Sequence, residues 1–139
     1  MNPDVAQLLV RFRKRSGAMS SALDRLQADL GSVVPDDDLE FLLESNGGEG
    51  LVGESYVTLW AAEDILRVNE MYGVREAAPG LVLFGSDGGG EGYAFDTRAS
   101  NVRIVMVPFV GMSPRDAIVI ADSSVHYLLC LYEGRQWED

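Results

Sequence analysis

Carboxylates are the side chains with the most scope for chemistry, because the 139 residues include 22 acids, one histidine and one cysteine. Asp87, Glu91 and Asp96 flank a glycine-rich stretch and share part of the spacing of a calcium-binding loop. The third and twelfth places of such a loop need oxygen ligands, but here they are Gly89 and Arg98. The stretch also lacks the glycine pattern and the lysine that cradle phosphates. We therefore predict that the chain binds no metal and no cofactor.

His126 and Cys130 are four residues apart on a predicted final helix, so they share one face. A structural zinc site usually needs four ligands, and a Cys–His nucleophile needs a third group to orient the base. Because the sequence supplies neither, we interpret the pair as a packed cysteine and a partly exposed histidine. No pair of acids stands out as having one raised pKa. We expect no catalysis, with an acid-dependent hydrolase using Asp87, Glu91 or Asp96 as the weakest alternative.

A predicted helix and the loop after it hold six acids that could form one surface. These are Asp36, Asp37, Glu40, Glu44, Glu49 and Glu54, called here the acidic surface. Three of them recur every four residues on one helix face, where each like-charge pair costs roughly 0.2–0.5 kcal/mol. No Lys or Arg occurs between Arg25 and Arg67 to relieve the repulsion. Two interpretations remain: a solvated acidic face, or a docking surface for a basic protein.

The net charge of −11 opposes binding to a nucleic-acid backbone and favours attraction to a basic partner. A single cysteine excludes an internal disulfide and fits a reducing compartment. No apolar run is long enough to span a bilayer. The N-terminus lacks the positive-first order of a secretory signal. We therefore expect a cytoplasmic protein that does not engage membranes.

The first half of the chain is predicted to be mostly helical. Apolar residues at helical spacing predict an amphipathic helix over residues 2–14, whose basic end is solvated or forms a partner-binding arm. A second helix is expected over 19–30, ending at Gly31. Pro35 begins a third, whose core stripe is Leu39, Leu42 and Leu43. A strand over 56–60, a helix over 61–71 and a loop over 72–80 follow.

The stretch from Leu81 to Arg98 predicts a central β-hairpin, because an apolar run leads through glycines into alternating residues. Further strands are predicted over 103–107 and 116–121. Ser123 can cap a last helix, with a core stripe of Val125, Leu128, Leu129 and Tyr132. This order predicts an α+β fold with a central antiparallel sheet and helices from both ends packed around it. We divide the chain into an N-terminal helix, 1–17, and a single domain, 18–139.

Three segments resemble the SUKH superfamily, and the similarity extends from about Met19 to Leu131. The first is a Pro-led helix ending in Asn-Gly-Gly, and the second is the glycine-rich hairpin GSDGGGEGYAFDTR. Their signature residues here are Asn46, Gly47, Gly48, Gly85, Asp87, Gly88, Gly89, Gly90, Glu91, Tyr93 and Asp96. The segment Ile120-Ala121-Asp122-Ser123 is similar to the family's lead-in to its final helix. The family usually has an aromatic residue next, and this chain has Ser124.

This resemblance implies a non-catalytic protein-binding domain, because the superfamily includes bacterial immunity proteins that neutralise polymorphic toxins. A toxin domain that is a nuclease would commonly be basic, so an acidic inhibitor could be steered to it and compete with phosphate. The alternative is an intracellular scaffold or regulatory module similar to the fungal regulator of cell-wall synthesis in the same superfamily. No residue of the acidic surface is carried over from the family.

Overall fold

A seven-stranded antiparallel sheet runs through the protein, with its strands in chain order. The structure is a computed structural model, which describes residues 3–30 and 34–134. The strands are β1 (Phe12–Lys14), β2 (Gly48–Val52), β3 (Ser55–Leu59), β4 (Leu81–Ser86), β5 (Glu91–Asp96), β6 (Arg103–Pro108) and β7 (Ile118–Ala121). Each strand pairs with its neighbour in sequence, so β1 and β7 are the two edges.

Six α-helices of the described ranges flank this sheet. They are α1 (Pro3–Leu8), α2 (Ser20–Leu30), α3 (Asp36–Glu44), α4 (Ala62–Met71), α5 (Val74–Ala77) and α6 (Ser124–Tyr132). A 3-10 turn, Pro114–Asp116, precedes β7. Helix α6 packs against α1 and α3, and α2 packs against α4. The predicted α+β class, the antiparallel sheet and the flanking helices are confirmed.

Alternate residues along the strands enter two separate apolar cores, as the two-residue period of a strand requires. The larger core joins Phe95 and Ile104 of the sheet to Leu9, Leu26 and Tyr127 of the N-terminal segment and the helices. The smaller core lies on the opposite face. There Leu83, Ala94 and Val105 are neighbours across three strands and pack with Val74 and Ala78.

The predicted central hairpin is confirmed as β4 and β5, with an irregular register between Leu83 and Gly85. Strand β3 pairs with β4 only near Ser86 and Gly85. Beyond that point Asn69 of α4 takes the place of a strand. Its amide group donates to the Leu83 carbonyl at 2.9 Å and accepts from the Leu83 N–H at 2.8 Å. The side chain thus satisfies backbone groups that the sheet leaves unpaired.

The predicted first helix is wrong beyond Leu8, because residues Phe12–Lys14 form β1. Phe12 pairs with Gly50, Arg13 with Glu49 and Lys14 with Gly48. Sheet pairing thus overrides the helical periodicity, while Phe12 still enters the larger core. The basic residues Arg11, Arg13, Lys14 and Arg15 therefore lie on or next to an edge strand and not at the end of a helix. The division of the chain at residue 17 stays a prediction.

Four other expectations fail in detail. Strand β2 occupies most of what was expected to be a loop after Gly47, and α5 lies within the expected loop over 72–80. Leu43 of the third helix is 54% exposed, so its predicted core role is wrong. The predicted α6 stripe is largely wrong as well, because only one of its four members, Leu128, is buried. The predicted end of α2 at Gly31 lies outside the described residues.

Candidate protein-binding surface

The Asn-Gly-Gly segment holds two parts of the fold together. Asn46 accepts a hydrogen bond from the Ala62 N–H at 2.8 Å, which satisfies a backbone donor at the start of α4. Its amide nitrogen donates to both carboxylate oxygens of Glu63. Gly47 has φ +78°, and a Cβ there would lie 2.5 Å from the Leu59 carbonyl oxygen. Gly48 begins β2. These signature residues have a structural explanation.

The glycine-rich turn is organised by Asp87. Its Oδ1 accepts from the N–H of Gly89 at 2.8 Å and of Glu91 at 3.2 Å. Gly88 has φ +82°, and a Cβ there would lie 2.8 Å from the Tyr56 ring. Gly90 accepts a hydrogen bond from the Phe109 N–H. The turn therefore closes the hairpin using its own carboxylate.

Two further signature side chains, Tyr93 and Asp96, are buried in β5. Tyr93 packs edge-on against Tyr127 at 5.0 Å between ring centroids, and burial raises the pKa of its hydroxyl. Asp96 is 1% exposed, and its two oxygens accept from Arg98 at 2.9 Å each. These hydrogen bonds hold the pKa of Asp96 below its ordinary value. The carboxylate is thus engaged by an arginine. Across residues 3–30 and 34–134 no group of three or more His, Cys, Asp or Glu side chains is placed to hold a metal ion.

The structure separates the six members of the acidic surface into two groups. Glu49 and Glu54 lie at β2 and the β2–β3 turn, next to the basic edge strand. Arg13 approaches Glu49 to 3.5 Å, and Arg11 approaches Glu54 to 3.2 Å. The hydroxyl of Tyr56 also donates to Glu49 at 2.6 Å, and this bond, with Arg13, lowers the pKa of Glu49. The charges of Glu49 and Glu54 are thus partly neutralised by arginines of the same chain.

The other four acids belong to α3. Asp36, Glu40 and Glu44 are exposed, whereas Asp37 is half-buried and accepts from the Ser124 N–H at 3.0 Å. Asp37 therefore helps to fix the start of α6, 87 residues further along the chain. Within the described part of the chain, no Lys or Arg forms an ion pair with Asp36, Asp37 or Glu40.

A pocket opens beside this helix, between α3 and α6, with a volume of about 90 Å³. Its walls are mostly apolar and aromatic, and include Phe41, Trp60, Phe84 and Leu128. Asp37, Asp38, Glu40, Ser124 and Tyr127 also line it. We call it the α3–α6 pocket.

Two hydroxyl groups of the α3–α6 pocket have unmet hydrogen-bonding capacity. Ser124 is 8% exposed and Tyr127 is 2% exposed. Neither hydroxyl has a hydrogen-bond partner of ordinary geometry among the described residues. Unpartnered polar groups are costly when they are buried, so such positions call for an explanation.

Asp38 is the third polar group of the pocket. Burial, followed by the neighbouring Asp37 carboxylate, raises its pKa from 3.8 to about 7, and the nearby Ser124 hydroxyl offsets part of this rise. Asp38 was not among the acids predicted from the sequence to form the acidic surface, because it lies within a run of acids at the start of α3. The available signal was Ser124, a polar residue in the first turn of a mostly apolar helix.

His126 and Cys130 do not form a site. The His126 ring lies 3.0 Å from the Asp122 carboxylate, and its backbone N–H donates to the Ser123 side chain that caps α6. Cys130 is 2% exposed in the core. The predicted packed cysteine and partly exposed histidine are confirmed. No helix in the described ranges has the length and apolar character to cross a membrane.

Comparison with known proteins bears on the whole domain described above. No curated protein matches the sequence. Residues 17–130 match the SMI1 / KNR4 family (SUKH-1), and this range includes α3, the central hairpin and most of α6. Because the match covers well over half of the 139 residues, the chain belongs to the SMI1 / KNR4 family (SUKH-1).

Proposed function

We propose that this protein is a non-catalytic bacterial immunity protein that acts in the cytoplasm. In this proposal it binds a basic toxin domain, such as a nuclease, and blocks it. The observation that carries the proposal is the pair Asp36 and Glu40 on the exposed side of α3, which lies beside an apolar pocket. Within the described residues, no Lys or Arg forms an ion pair with either of them. Family membership is consistent with a protein partner and with an immunity or regulator-like role.

The division of the acidic surface refines where the contact is expected. Glu54 and Glu49 already form ion pairs with Arg11 and Arg13, so a cation of the partner would gain less binding free energy there. Asp36 and Glu40 on α3 remain available to a partner. Apolar surface at the centre of an acidic patch is the usual anatomy of a protein interface, with charge at the rim. We therefore centre the contact on α3, with Asp37 and Glu44 beside it and Glu49 and Glu54 at the periphery.

Electrostatic attraction between the acidic protein and a basic partner raises the association rate of such an interface. With a net charge of −11, the protein attracts a basic domain before contact. Exposed charges act mainly on the association rate and on its salt dependence. A toxin that holds phosphate through lysines and arginines would meet the same charges on α3 that its substrate presents.

The test begins with the reading frames that flank the gene. A neighbouring frame that ends in a compact basic domain provides the candidate toxin, which is expressed with and without this protein. Rescue of growth supports immunity. Rescue should fail, or the Kd should rise at least about tenfold, in the double variant Asp36→Lys with Glu40→Lys. The matched control, Glu70→Lys with Glu76→Lys, makes the same charge change at exposed sites on α4 and α5.

Equal effects of the two double variants would contradict the proposed contact surface. Absence of any toxin-like neighbour, together with several partners of modest affinity in a pull-down, would favour the scaffold or regulatory alternative. That outcome would leave the acidic face of α3 as a solvated surface.

A further inference from the structure

We infer that the α3–α6 pocket receives the side chain of one lysine from the partner protein. The inference rests on the proposed function and deepens it, because it assigns a binding site and a ligand chemistry within the acidic face. Three features of the pocket carry it: its size, its walls and the polar groups within it.

The size fits part of one side chain. Pockets for drug-sized ligands have volumes of about 300–1,000 Å³, and an engineered cavity of about 150 Å³ in another protein holds one benzene ring. At about 90 Å³, the α3–α6 pocket is too small for a nucleotide or a typical metabolite. A narrow unbranched chain ending in a small head group matches this space.

The walls fit an aliphatic stem. Phe41, Trp60, Phe84 and Leu128 present apolar surface, and Val5 and Leu59 add to it. Lysine has four methylene groups that can bury against such walls while its ammonium group finds polar partners. Arginine carries a broader, planar head group, which suits an open bidentate site better than a small pocket.

The polar groups fit an ammonium ion. The Ser124 and Tyr127 hydroxyls can accept hydrogen bonds, and the Asp38 carboxylate adds charge. An ammonium group carries three donors and no acceptor, so one lysine can satisfy all three groups. An apolar side chain would leave the buried Tyr127 hydroxyl without a partner and the Asp38 carboxylate without a cation. An anion would be repelled by Asp37, Asp38 and Glu40.

The pairing of a lysine ammonium group with the Asp38 carboxylate makes binding depend on pH. Asp37 and Glu40 on α3 and Tyr127 on α6 are the other titratable groups that line the pocket, whereas α1, β3, β4 and α4 contribute apolar side chains. Burial keeps the Tyr127 hydroxyl protonated by raising its pKa. With the pKa of Asp38 at about 7, a cation must displace a proton from Asp38 at lower pH. Affinity should therefore fall as the pH drops from 8 to 6.

The test uses n-butylammonium chloride, which reproduces the four carbons and the ammonium group of a lysine side chain and needs no identified toxin. The ¹⁵N-labelled protein is titrated by NMR at pH 8, with 1-butanol and tetramethylammonium chloride as controls for the stem and the charge. We expect saturable shifts at the amides of Asp38, Ser124 and Val125 with butylammonium, and much weaker ones with either control. Asp38→Asn should weaken binding at least about fivefold and abolish its pH dependence. Asp24→Asn, an exposed change of equal charge on α2, should leave both unchanged.

Absence of saturable shifts, shifts of equal size with 1-butanol, or equal effects of Asp38→Asn and Asp24→Asn would overturn the inference. Tyr127→Phe keeps the ring and removes the hydroxyl, so its weaker amine binding would support the assignment independently of charge. The outcome of this test can be distinguished from the outcome of the test of the proposed function. Amine binding without any effect of the α3 charge reversals on a partner would retain the site and reject the function. Salt-sensitive toxin binding without amine binding would retain the proposed function and reject the lysine site.

Discussion

Asp38 and Asp96 are two carboxylates in crowded surroundings whose pKa values move in opposite directions. Asp96 lies at the end of β5, where Arg98 donates to both of its oxygens and lowers its pKa. Asp38 lies in the first half of α3, where burial and Asp37 raise its pKa to about 7. The cation next to Asp96 is two residues away in sequence, whereas the neighbours of Asp38 are another acid and a hydroxyl group.

The difference separates a carboxylate that maintains the fold from one that is available for binding. The charge of Asp96 is paired within the chain, and Arg98 also donates a hydrogen bond to the Pro114 carbonyl at 3.0 Å. Asp38 costs stability when it ionises, because desolvation is not matched by a cation. A cation supplied by a partner would remove that cost.

Replacing Asp96 with Asn should destabilise the protein by about 2–3 kcal/mol at pH 7. The loss of the carboxylate leaves Arg98 without its partner, and the partial exposure of Arg98 keeps the cost below that of a fully buried pair. Chemical denaturation measures the change in the free energy of unfolding. In the wild type, this stabilisation is present above a pH of about 4 and is lost as the pH falls through the lowered pKa of Asp96. A cost equal to that of Asp24→Asn would show that the pair is not structural.

Replacing Asp38 with Asn should stabilise the protein by about 1–2 kcal/mol at pH 8. A shift from 3.8 to about 7 would be worth more at about 1.4 kcal/mol per pKa unit, but the residue is only partly covered. Because its folded pKa is raised, Asp38 lowers wild-type stability as the pH rises from about 4 to 7. The gain from Asn should therefore vanish near pH 4. Denaturation curves across this range check the slope, and a pH-independent gain would contradict the assignment.

Replacing Val125 with Lys should have the smallest effect, a gain of less than about 1 kcal/mol at pH 8. Val125 lines the pocket and is 45% exposed, so a lysine there brings a cation toward Asp38 from within the chain. The pKa of Asp38, followed by the carboxyl ¹³C shift in NMR titration, should move down toward its ordinary value. Leu129→Lys, one turn later at 42% exposure, is the matched control and does not line the pocket. Equal pKa changes in the two variants would remove the distinction between the α3–α6 pocket and the rest of the α6 surface.

Local features of the sequence predicted several elements correctly. The central hairpin follows from the apolar run, the glycines and Asp87, all within a few residues of one another. Ser123 caps α6 as expected, and Pro35 precedes the first turn of α3. The turn and the two helix starts depend on hydrogen bonds or backbone preferences that act over at most four residues.

The elements that the sequence analysis missed depend on distant partners. Strand β1 exists because Phe12 pairs with Gly50, although the same residues have helical periodicity. On α6, where apolar residues occur on several faces, packing buries Tyr127, Leu128 and Leu131 and leaves Val125 and Leu129 exposed. A periodic pattern with two apolar faces does not determine which one meets the sheet.

The fold class, the central hairpin, most helix positions and the total charge follow from the amino-acid sequence alone, because they depend on composition and short-range order. Which acids are paired within the chain depends on the tertiary fold. It brings Arg11 and Arg13 to Glu54 and Glu49, and it places α6 beside Asp37 and Asp38. Desolvation and charge pairing depend on neighbours in space, and the neighbours Asp37 and Ser124 are 87 residues apart in the sequence.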